Sequence, residues 1–266
     1  EAKFYREASM TVADYFAIAS GQLSVFSAPN PFKETPNEDC AALIPVDEKS
    51  CVLVVADGVG GMPSGHAASS LAVDAVRNAV KKAVTENLDL REVILNGIEK
   101  ANIDVMAQSG GSATTLAVVE IQGNIIRPYH VGDSDIMVVG QRGKIKLQTV
   151  PHSPVGYAVE AGIMDEEEAI HHKERHIVSN VLGFKDMRIE VGSPITLSPH
   201  DTVFIATDGI ADNLFLDEIV ECVRKGDLCE VSERLVKDVQ QRMNERGGDH
   251  PCKPDDHTFI LYRNKH

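Results

Sequence analysis

Cysteine is scarce in this sequence of 266 residues, and no two cysteines form a CxxC pair. The five cysteines are Cys40, Cys51, Cys222, Cys229 and Cys252. An odd number without paired spacing argues against a disulfide framework and against a zinc ribbon, and it favours a reducing compartment. We therefore expect a cytoplasmic protein, with or without a removed N-terminal targeting segment.

Basic residues and long apolar runs are also few. The chain has 26 Lys and Arg against 40 Asp and Glu, a formal net charge of -14 at pH 7. This balance excludes a general nucleic-acid binder, because such a protein needs a basic face to neutralise phosphates. No apolar run approaches membrane-spanning length. We expect a monomer without nucleic-acid or membrane partners, whose acidic surface would need metal ions to accept an anionic substrate.

No internal repeat, low-complexity tract or linker divides the chain, so we expect a single domain over 1–266. Strand patterns come first, followed by helical periodicity over 68–83 and 89–107, more strands, two further helices and a last strand. Residues 15–27 are predicted as one strand, and 132–135 as the turn of a hairpin. Helix pairs and antiparallel meanders do not build a doubly wound parallel sheet. They predict an α+β fold, a four-layer α-β-β-α sandwich with two central antiparallel sheets flanked by helix pairs.

Acidic residues stand at the ends of several predicted strands. The apolar stretch CVLVVA leads into Asp57 and a glycine-rich turn, and TVFIAT leads into Asp208. Three further acidic groups flank strand ends, namely Glu38 with Asp39, Asp133 with Asp135, and Asp255 with Asp256. An Asp-Gly pair alone is most often only a turn. If the groups share one cleft, however, their charges repel, and Mg²⁺ or Mn²⁺ would compensate because these ions prefer oxygen ligands.

Six stretches carry a resemblance to a known family. They are NEDC (37–40), VVADGVGGMPSGHAAS (54–69), GGSATTLAVV (110–119), HVGDSD (130–135), FIATDGIAD (204–212) and PDDHTFILY (254–262). In order and spacing they resemble the metal-dependent protein phosphatases, the type 2C or PPM family, over nearly the whole chain. The resemblance implies two antiparallel sheets flanked by helix pairs, as the element order also predicts. It further implies a phosphatase that acts on phosphoserine and phosphothreonine in a phosphoprotein partner.

The resemblance also implies roles for individual residues. Asp57 resembles the aspartate that bridges two Mg²⁺ or Mn²⁺ ions, and Gly58 resembles the glycine whose carbonyl binds one of them. With Asp57, Asp208 is the second residue expected to be catalytic. Four further carboxylates are expected to hold the two ions directly or through water: Asp208, Asp255, Glu38 and Asp39. Asp133 is expected to hold a third, more weakly bound ion. Residues 153–183 resemble the variable flap beside the site.

The expected mechanism follows from the chemistry of a two-metal site. Two cations about 3.5–4 Å apart share a water, lower its pKa and present a hydroxide in line with phosphorus. They also neutralise the phosphoryl oxygens. No protein nucleophile is required, so we expect no phosphoenzyme. The cations also explain how an acidic cleft accepts a phosphate group.

Four positions depart from the pattern of the family. Val59 stands where many members have a histidine that is a proposed general acid. Glu34 occupies the usual place of a phosphate-binding arginine, and we expect the adjacent Lys33 to contact the substrate phosphate instead. Lysine binds phosphate as a point charge and lacks the two-pronged guanidinium group of arginine. The alternative is that Lys33 is a solvated loop lysine without a role in substrate binding. Asp135 and Asn180 stand where arginine is common, so substrate binding is affected more than metal binding.

Other functions fit the sequence less well. GDSD contains the DxD motif of aspartate-nucleophile phosphatases. That class needs a parallel sheet with a helix after the motif, whereas here IMVVG continues as a strand. Pro63 stands where a dinucleotide-binding motif needs its third glycine. His250, Cys252 and His257 are possible zinc ligands without a fourth partner. A degenerate phosphatase fold acting as a regulatory or binding module remains the main alternative to catalysis.

Overall fold

The computed structural model describes residues 1–59, 64–108, 111–245 and 250–264. Their strands, numbered in chain order, form two sheets. The first contains, in spatial order, β1 (Lys3–Arg6), β4 (Asp39–Pro45), β5 (Ser50–Asp57), β6 (Leu116–Gln122), β7 (Ile125–Val131) and β10 (Glu190–Val191), with β11 (Ile195–Thr196) also paired to β7. The second contains β2 (Asp14–Ile18), β3 (Gly21–Ala28), β13 (His257–Asn264), β12 (Thr202–Ala206), β8 (Asp135–Val139) and β9 (Ile145–Gln148). All strand pairs are antiparallel.

Two helix pairs cover the outer faces of the sheets. Helices α1 (Gly65–Glu86) and α2 (Leu90–Met106) pack on the first sheet, while α6 (Leu216–Val223) and α7 (Leu228–Asn244) pack on the second. Between them in sequence lie α3 (Pro154–Glu160), α4 (Glu166–His171) and the short α5 (Asp208–Ala211), which directly follows β12. The predicted four-layer α+β sandwich is therefore confirmed. The glycine-rich turn at 60–63 lies outside the described residues.

The apolar run of β5 shows why the layers form. Val52, Val54 and Ala56 face the core shared with α1 and α2. The alternate residues Leu53 and Val55 face a central core between the two sheets. A strand covered on both faces needs apolar residues at every position, whereas a half-exposed strand alternates. The unbroken hydrophobicity of β5 is thus the sequence signature of a central strand, and it carries Asp57 to the edge of the core.

The predicted hairpin at 132–135 is wrong. Strand β7 pairs within the first sheet and β8 within the second, so the chain crosses between sheets at 132–134. Gly132 makes this crossing with a φ of 108°, and an added Cβ would lie 2.7 Å from the Thr115 side chain. Glycine satisfies both the positive φ and the close approach. The crossing places Asp133 between the two sheets, where a hairpin would have kept it on one.

Residues 15–27 form a hairpin where the sequence predicted a single strand. Strand β2 ends at Ile18 and β3 begins at Gly21, and the two pair antiparallel. Ala19 and Ser20 turn the chain with φ values of 47° and 63°. The Ser20-Gly21 pair marks this turn in the sequence, but the apolar and small residues on both sides also fit one continuous strand.

Two composition-based expectations can be compared with the structure. All five cysteines are free, and three of them are buried. In the part of the chain that the structure describes, no helix is both long and apolar enough to cross a membrane.

Candidate functional site

Most of the acidic groups at the strand ends converge on one cleft. Asp39 and Asp57 are directly opposite each other in the β4–β5 pair. Asp208 follows β12 and Asp255 precedes β13, and these strands are neighbours in the other sheet. The pKa of Asp57 is raised well above its ordinary value, first by burial and then by repulsion from Asp39, Asp208, Asp255 and Asp133. Carboxylates from both sheets and from the crossing between them therefore face one another.

Asp39 has the features of a metal ligand. Its Oδ2 accepts a hydrogen bond of 2.9 Å from the Thr207 hydroxyl, but its buried Oδ1 has no hydrogen-bond donor among the described residues. Burial, and then the charge of Asp256, raises the pKa of Asp39 well above the ordinary value, although the hydroxyls of Thr258 and Thr207 oppose that rise. A buried carboxylate oxygen without a donor is costly unless a cation binds it. The donor set therefore fits hard divalent ions such as Mg²⁺ or Mn²⁺.

Two threonines hold Asp57 in place through its backbone. The Asp57 N–H donates to Thr115 Oγ1 at 3.0 Å, and the Thr115 N–H donates to the Asp57 carbonyl at 2.8 Å. The Thr114 hydroxyl donates to the same carbonyl at 2.7 Å. Thr115 Oγ1 also lies 2.7 Å from Ser134 Oγ, which belongs to the crossing that carries Asp133. These threonines belong to the GGSATTLAVV stretch, in which the sequence pattern predicts no role for them.

Gly58 lies where two backbone segments approach closely. Its N–H donates to the Glu38 carbonyl at 3.1 Å. An added Cβ would overlap the Gly65 carbonyl at the start of α1 and come within 2.9 Å of the Glu38 carbonyl oxygen. The Ser69 hydroxyl donates to the same Glu38 carbonyl at 2.6 Å. Glycine is required here by packing, while a metal-binding role for its carbonyl stays a prediction.

Asp212 is an acidic member of the cleft that was not predicted from the sequence. It follows Asp208 by four residues, so the two carboxylates lie on the same side of the single turn of α5. One oxygen each from Asp208, Asp212 and Asp255 lie within 4.8 Å of one another. Burial, followed by repulsion from Asp212, raises the pKa of Asp208 to about 8, and burial raises that of Asp133 to about 6. The sequence signal that could have identified Asp212 is its position four residues after the strand-end aspartate Asp208.

Lys253 also lies in the acidic cleft, and this position was not predicted from the sequence either. Its Nζ is 2.5 Å from Asp212 Oδ2, 2.9 Å from Asp255 Oδ2 and 3.3 Å from Asp208 Oδ2. Burial would lower its pKa, but the three carboxylates outweigh burial and raise the pKa above the ordinary value. Lys253 is therefore a charged ammonium among candidate metal ligands. No local sequence pattern indicates this position.

Lys33 lies beside the acidic cleft, as the sequence analysis required of a phosphate ligand. Its Nζ is 3.2 Å from Glu38 Oε2 and also contacts Asp256 Oδ2. Burial opposes the charge of Lys33, but Asp256 and Glu38 outweigh burial and raise its pKa. The side chain is 19% exposed, so Lys33 is not a freely solvated loop lysine, whereas Glu34 is exposed. A phosphate at Lys33 would share its ammonium with two carboxylates.

The flap segment brings one arginine to the cleft. Arg175 Nη2 lies 3.7 Å from Asp212 Oδ1. Asn180, at a position where relatives often have arginine, is instead buried. Its Nδ2 donates to His152 Nδ1 and to the Arg188 carbonyl, both at 2.8 Å, and its Oδ1 accepts from the Arg188 N–H at 3.0 Å. Asn180 therefore holds the end of the flap, while Arg175 forms an ion pair with Asp212 of the cleft.

Asp135 belongs to a different environment. It begins β8, where its Oδ1 lies 3.4 Å from the Thr149 hydroxyl. Burial raises its pKa to about 7, and hydrogen bonds from Thr149, Gln148 and the Ile136 backbone oppose that rise. None of the cleft carboxylates contributes to this shift. Asp135 therefore does not join the group around Asp57.

A second group of possible metal ligands lies beside the crossing. Single atoms of His130, His152 and Glu190 lie within 4.8 Å of one another. The Gly132 N–H donates to His152 Nδ1 at 3.1 Å, so the ring proton resides on Nε2 and points to Glu190 Oε2 at 3.1 Å. A metal on Nε2 would move that proton to Nδ1, against the Gly132 N–H. The geometry favours hydrogen bonding over metal binding. Neither metal-ligand group found in the described ranges includes the zinc trio considered above, His250, Cys252 and His257.

The sequence comparisons agree with the geometry of the cleft. The profile of the family described as Protein phosphatase 2C matches residues 32–250. A chain of Streptococcus pyogenes serotype M6, described as protein phosphatase 2C-type, is 30% identical over 224 residues. The matched part covers 81% of this chain and 89% of that relative.

Solved structures share the same architecture. The serine/threonine phosphatase Stp1 from Staphylococcus aureus superposes with a TM-score of 0.77 at 24% identity and covers 91% of this chain and 94% of its own. The catalytic domain of the serine/threonine protein phosphatase PstP in complex with two manganese ions superposes with a TM-score of 0.71 at 22% identity. That match covers 91% of this chain and 96% of its own. At these identities the likeness shows the two-sheet sandwich fold.

Proposed function

This chain belongs to the protein phosphatase 2C family, and from that premise we propose that it hydrolyses phosphoserine and phosphothreonine in proteins with the help of Mg²⁺ or Mn²⁺. The observation that carries the proposal is the convergence of carboxylates on Asp57, with the buried Asp39 Oδ1 left without a donor among the described residues. Repelling carboxylates of this kind are suited to cations that bridge them to a phosphate.

The residues that would hold the ions are those predicted from the sequence. Two ions and a third, weaker one are proposed, and the two manganese ions in the complex of the PstP catalytic domain support the first two. The proposed ligands are Asp57, Gly58, Asp208, Asp255, Glu38, Asp39 and Asp133. Bound ions supply an activated water nucleophile and neutralise the phosphoryl oxygens.

The chain itself supplies orientation and positive charge. The threonine pair fixes the backbone of Asp57, and the crossing at Gly132 fixes that of Asp133. Lys33 on one side and Arg175 on the flap provide the cations that we propose contact the substrate phosphate. The reaction proceeds without a phosphoenzyme, since water is the nucleophile. Val59 cannot donate a proton to the leaving group, so another group must do so.

The alternative of a degenerate binding module has less support. Such a module would tolerate loss of metal carboxylates, but every predicted ligand position keeps its oxygen donor. The proposed partner is a phosphoprotein, and we keep the expectation of a cytoplasmic monomer. The free cysteines are consistent with the reducing compartment that this location provides.

The test is a phosphatase assay with and without metal. Purified protein is given a phosphothreonine peptide and p-nitrophenyl phosphate, in Mn²⁺ and in EDTA. We expect hydrolysis in Mn²⁺ and none in EDTA. Activity that survives EDTA, or its absence with every divalent metal, would contradict the proposal.

A substitution of Asp208 tests the metal site without removing residues that the fold requires. Asp208→Asn should lower kcat at least about a hundredfold, because it removes a charged ligand where charge develops. Asp47→Asn is the matched control, since Asp47 is exposed in the turn at the other end of the β4–β5 hairpin. A near-normal rate for Asp208→Asn would show that Asp208 is not a ligand.

A further inference from the structure

Lys253 places a positive charge on Asp208 and Asp255, which the proposed function assigns to metal ions, and on the neighbouring Asp212. Its Nζ lies 2.5 Å from Asp212 Oδ2, 2.9 Å from Asp255 Oδ2 and 3.3 Å from Asp208 Oδ2. One oxygen of each of these residues belongs to the group close enough to bind a single cation. The ammonium therefore satisfies the same acidic trio that would attract a divalent ion.

The position of Lys253 is set by a buried side chain. Asn213 is fully buried, and its Oδ1 accepts from the Lys253 N–H at 2.9 Å. Its Nδ2 donates to the Lys253 carbonyl at 2.8 Å and to the Gly209 carbonyl at 2.9 Å. The amide of Asn213 thus joins both ends of the Lys253 backbone to the helical turn that carries Asp208. A lysine placed only by chance contacts in a loop would lack this support.

The chain around Lys253 is also conformationally restricted. Pro251 and Pro254 flank it closely, which fixes φ at two positions and favours an extended Lys253. The Pro254 carbonyl accepts from Asn30 Nδ2 at 2.9 Å, which ties the segment to the other side of the cleft. Buried hydrogen bonds and restricted dihedrals together hold the ammonium at the carboxylates.

We propose that Lys253 is a built-in cation of the acidic cleft, which competes with a divalent ion for Asp212 and Asp255 and lowers the affinity of the most weakly bound ion. This inference deepens the proposed function and rests on it, because Asp255 is one of the proposed metal ligands and Asp212 lies beside it. A monovalent ammonium on the trio both repels an incoming divalent ion and occupies its oxygens. Lys253 would thereby stabilise the metal-free protein and set how much metal the cleft takes up.

The test counts bound metal independently of activity. The full chain is titrated with Mn²⁺, and free Mn²⁺ is followed by electron paramagnetic resonance. Lys253→Met removes the charge at similar length, Lys253→Arg keeps it, and Lys82→Met is the control at an exposed lysine of α1. We expect Lys253→Met to bind its weakest ion on the order of tenfold more tightly, as a typical coupling between competing ligands predicts. Lys253→Arg and Lys82→Met should follow the wild type.

A second measurement covers the case in which the binding difference arises from altered folding. In EDTA, Lys253→Met should melt below the wild type, because three carboxylates lose their counter-ion, and Lys253→Arg should restore the melting temperature. In saturating Mn²⁺ the gap should close or reverse. If Lys253→Met does not fold in EDTA, Lys253→Gln replaces it in both measurements.

The outcomes separate this inference from the proposed function. Mn²⁺ binding that is unchanged by Lys253→Met would overturn the role of Lys253 while leaving the metal site in place. Equal melting temperatures of Lys253→Met and wild type in EDTA would overturn it as well. A chain that binds no Mn²⁺ in any variant would overturn both proposals.

Discussion

At the scale of single residues, Lys33 is shared between two functions. Its ammonium compensates Glu38 and Asp256, and we propose that it also contacts the substrate phosphate. Asp256 Oδ2 further accepts from the Glu38 N–H at 2.7 Å, so the lysine contacts an already organised carboxylate. Lys33 therefore has a fixed position, as a residue that binds substrate requires.

Substitution of Lys33 tests this role. We predict that Lys33→Ala raises KM about tenfold with a smaller effect on kcat, because one charge contact to the phosphate is lost. Lys33→Arg should keep most of the affinity. Lys49→Ala, at an exposed lysine in the β4–β5 turn, is the control. An unchanged KM for Lys33→Ala would leave Lys33 as a counter-ion only.

Thr115 positions Asp57, and its hydroxyl can be removed without changing charge. We predict that Thr115→Ala lowers the free energy of unfolding by about 1–3 kcal/mol, because the Asp57 N–H loses its acceptor. It should also lower kcat, while Thr115→Ser should restore both quantities. Urea denaturation and steady-state kinetics measure the two effects. Full activity of Thr115→Ala would show that the hydroxyl is not needed to hold Asp57.

At the scale of elements, the end of β5 and the start of α1 meet at Gly58. We predict that Gly58→Ala weakens Mn²⁺ binding and activity, because a Cβ there overlaps the backbone of Gly65. Backbone cannot move aside as cheaply as a flexible side chain. Gly123→Ala is the control, since its φ is 61° but no atom lies within 4 Å of the added Cβ.

The control separates local strain from damage to the site. Gly123→Ala should cost about 1 kcal/mol of stability through its positive φ and leave Mn²⁺ affinity unchanged. Calorimetric Mn²⁺ titrations of both variants make the comparison. Equal Mn²⁺ affinities for Gly58→Ala and wild type would contradict the requirement for close approach at this position.

At the scale of the whole molecule, a buried histidine links stability to pH. Burial, and then the neighbouring His152, lowers the pKa of His130, while the Val150 carbonyl and Glu190 partly oppose this. The rings of His130 and His152 are stacked with centroids 4.3 Å apart. The folded state therefore binds a proton less readily than the unfolded chain, whose histidine pKa is about 6.5.

The sign of the pH dependence follows from the lowered pKa. The contribution of His130 is complete above about pH 6.5 and is lost as pH falls through the lower folded value. We predict that the free energy of unfolding of the wild type, measured relative to His130→Gln, falls between pH 8 and pH 5.5. The buried carboxylates with raised pKa values act in the opposite direction, but they are common to both proteins and cancel in this difference. Urea denaturation at both pH values measures it. The same pH dependence in wild type and variant would mean that His130 does not link stability to pH.

The fold was predictable because its signals are local. The unbroken apolar run of β5 and the helical periodicity of α1 and α2 follow from burial of neighbouring residues in the chain. The order of strands and helices then restricted the architecture to a layered sandwich. Two local predictions failed. The Ser20-Gly21 turn signal lies within a run that also fits a single strand, and a crossing between sheets resembles a hairpin in sequence.

The sequence also determined that this protein has strand-end carboxylates in a family-like order, and thereby the kind of chemistry to expect. Which side chains meet was decided only by the packing of two sheets. Lys33 and Asp256 are 223 positions apart, and Lys253 and Asp212 are 41 apart, yet each pair is in contact. Periodicity reports whether a residue is buried, because burial has a repeat along the chain. Contacts between distant segments have no such repeat, so Lys253, Arg175 and the support of Asp57 by Thr115 became visible only in three dimensions.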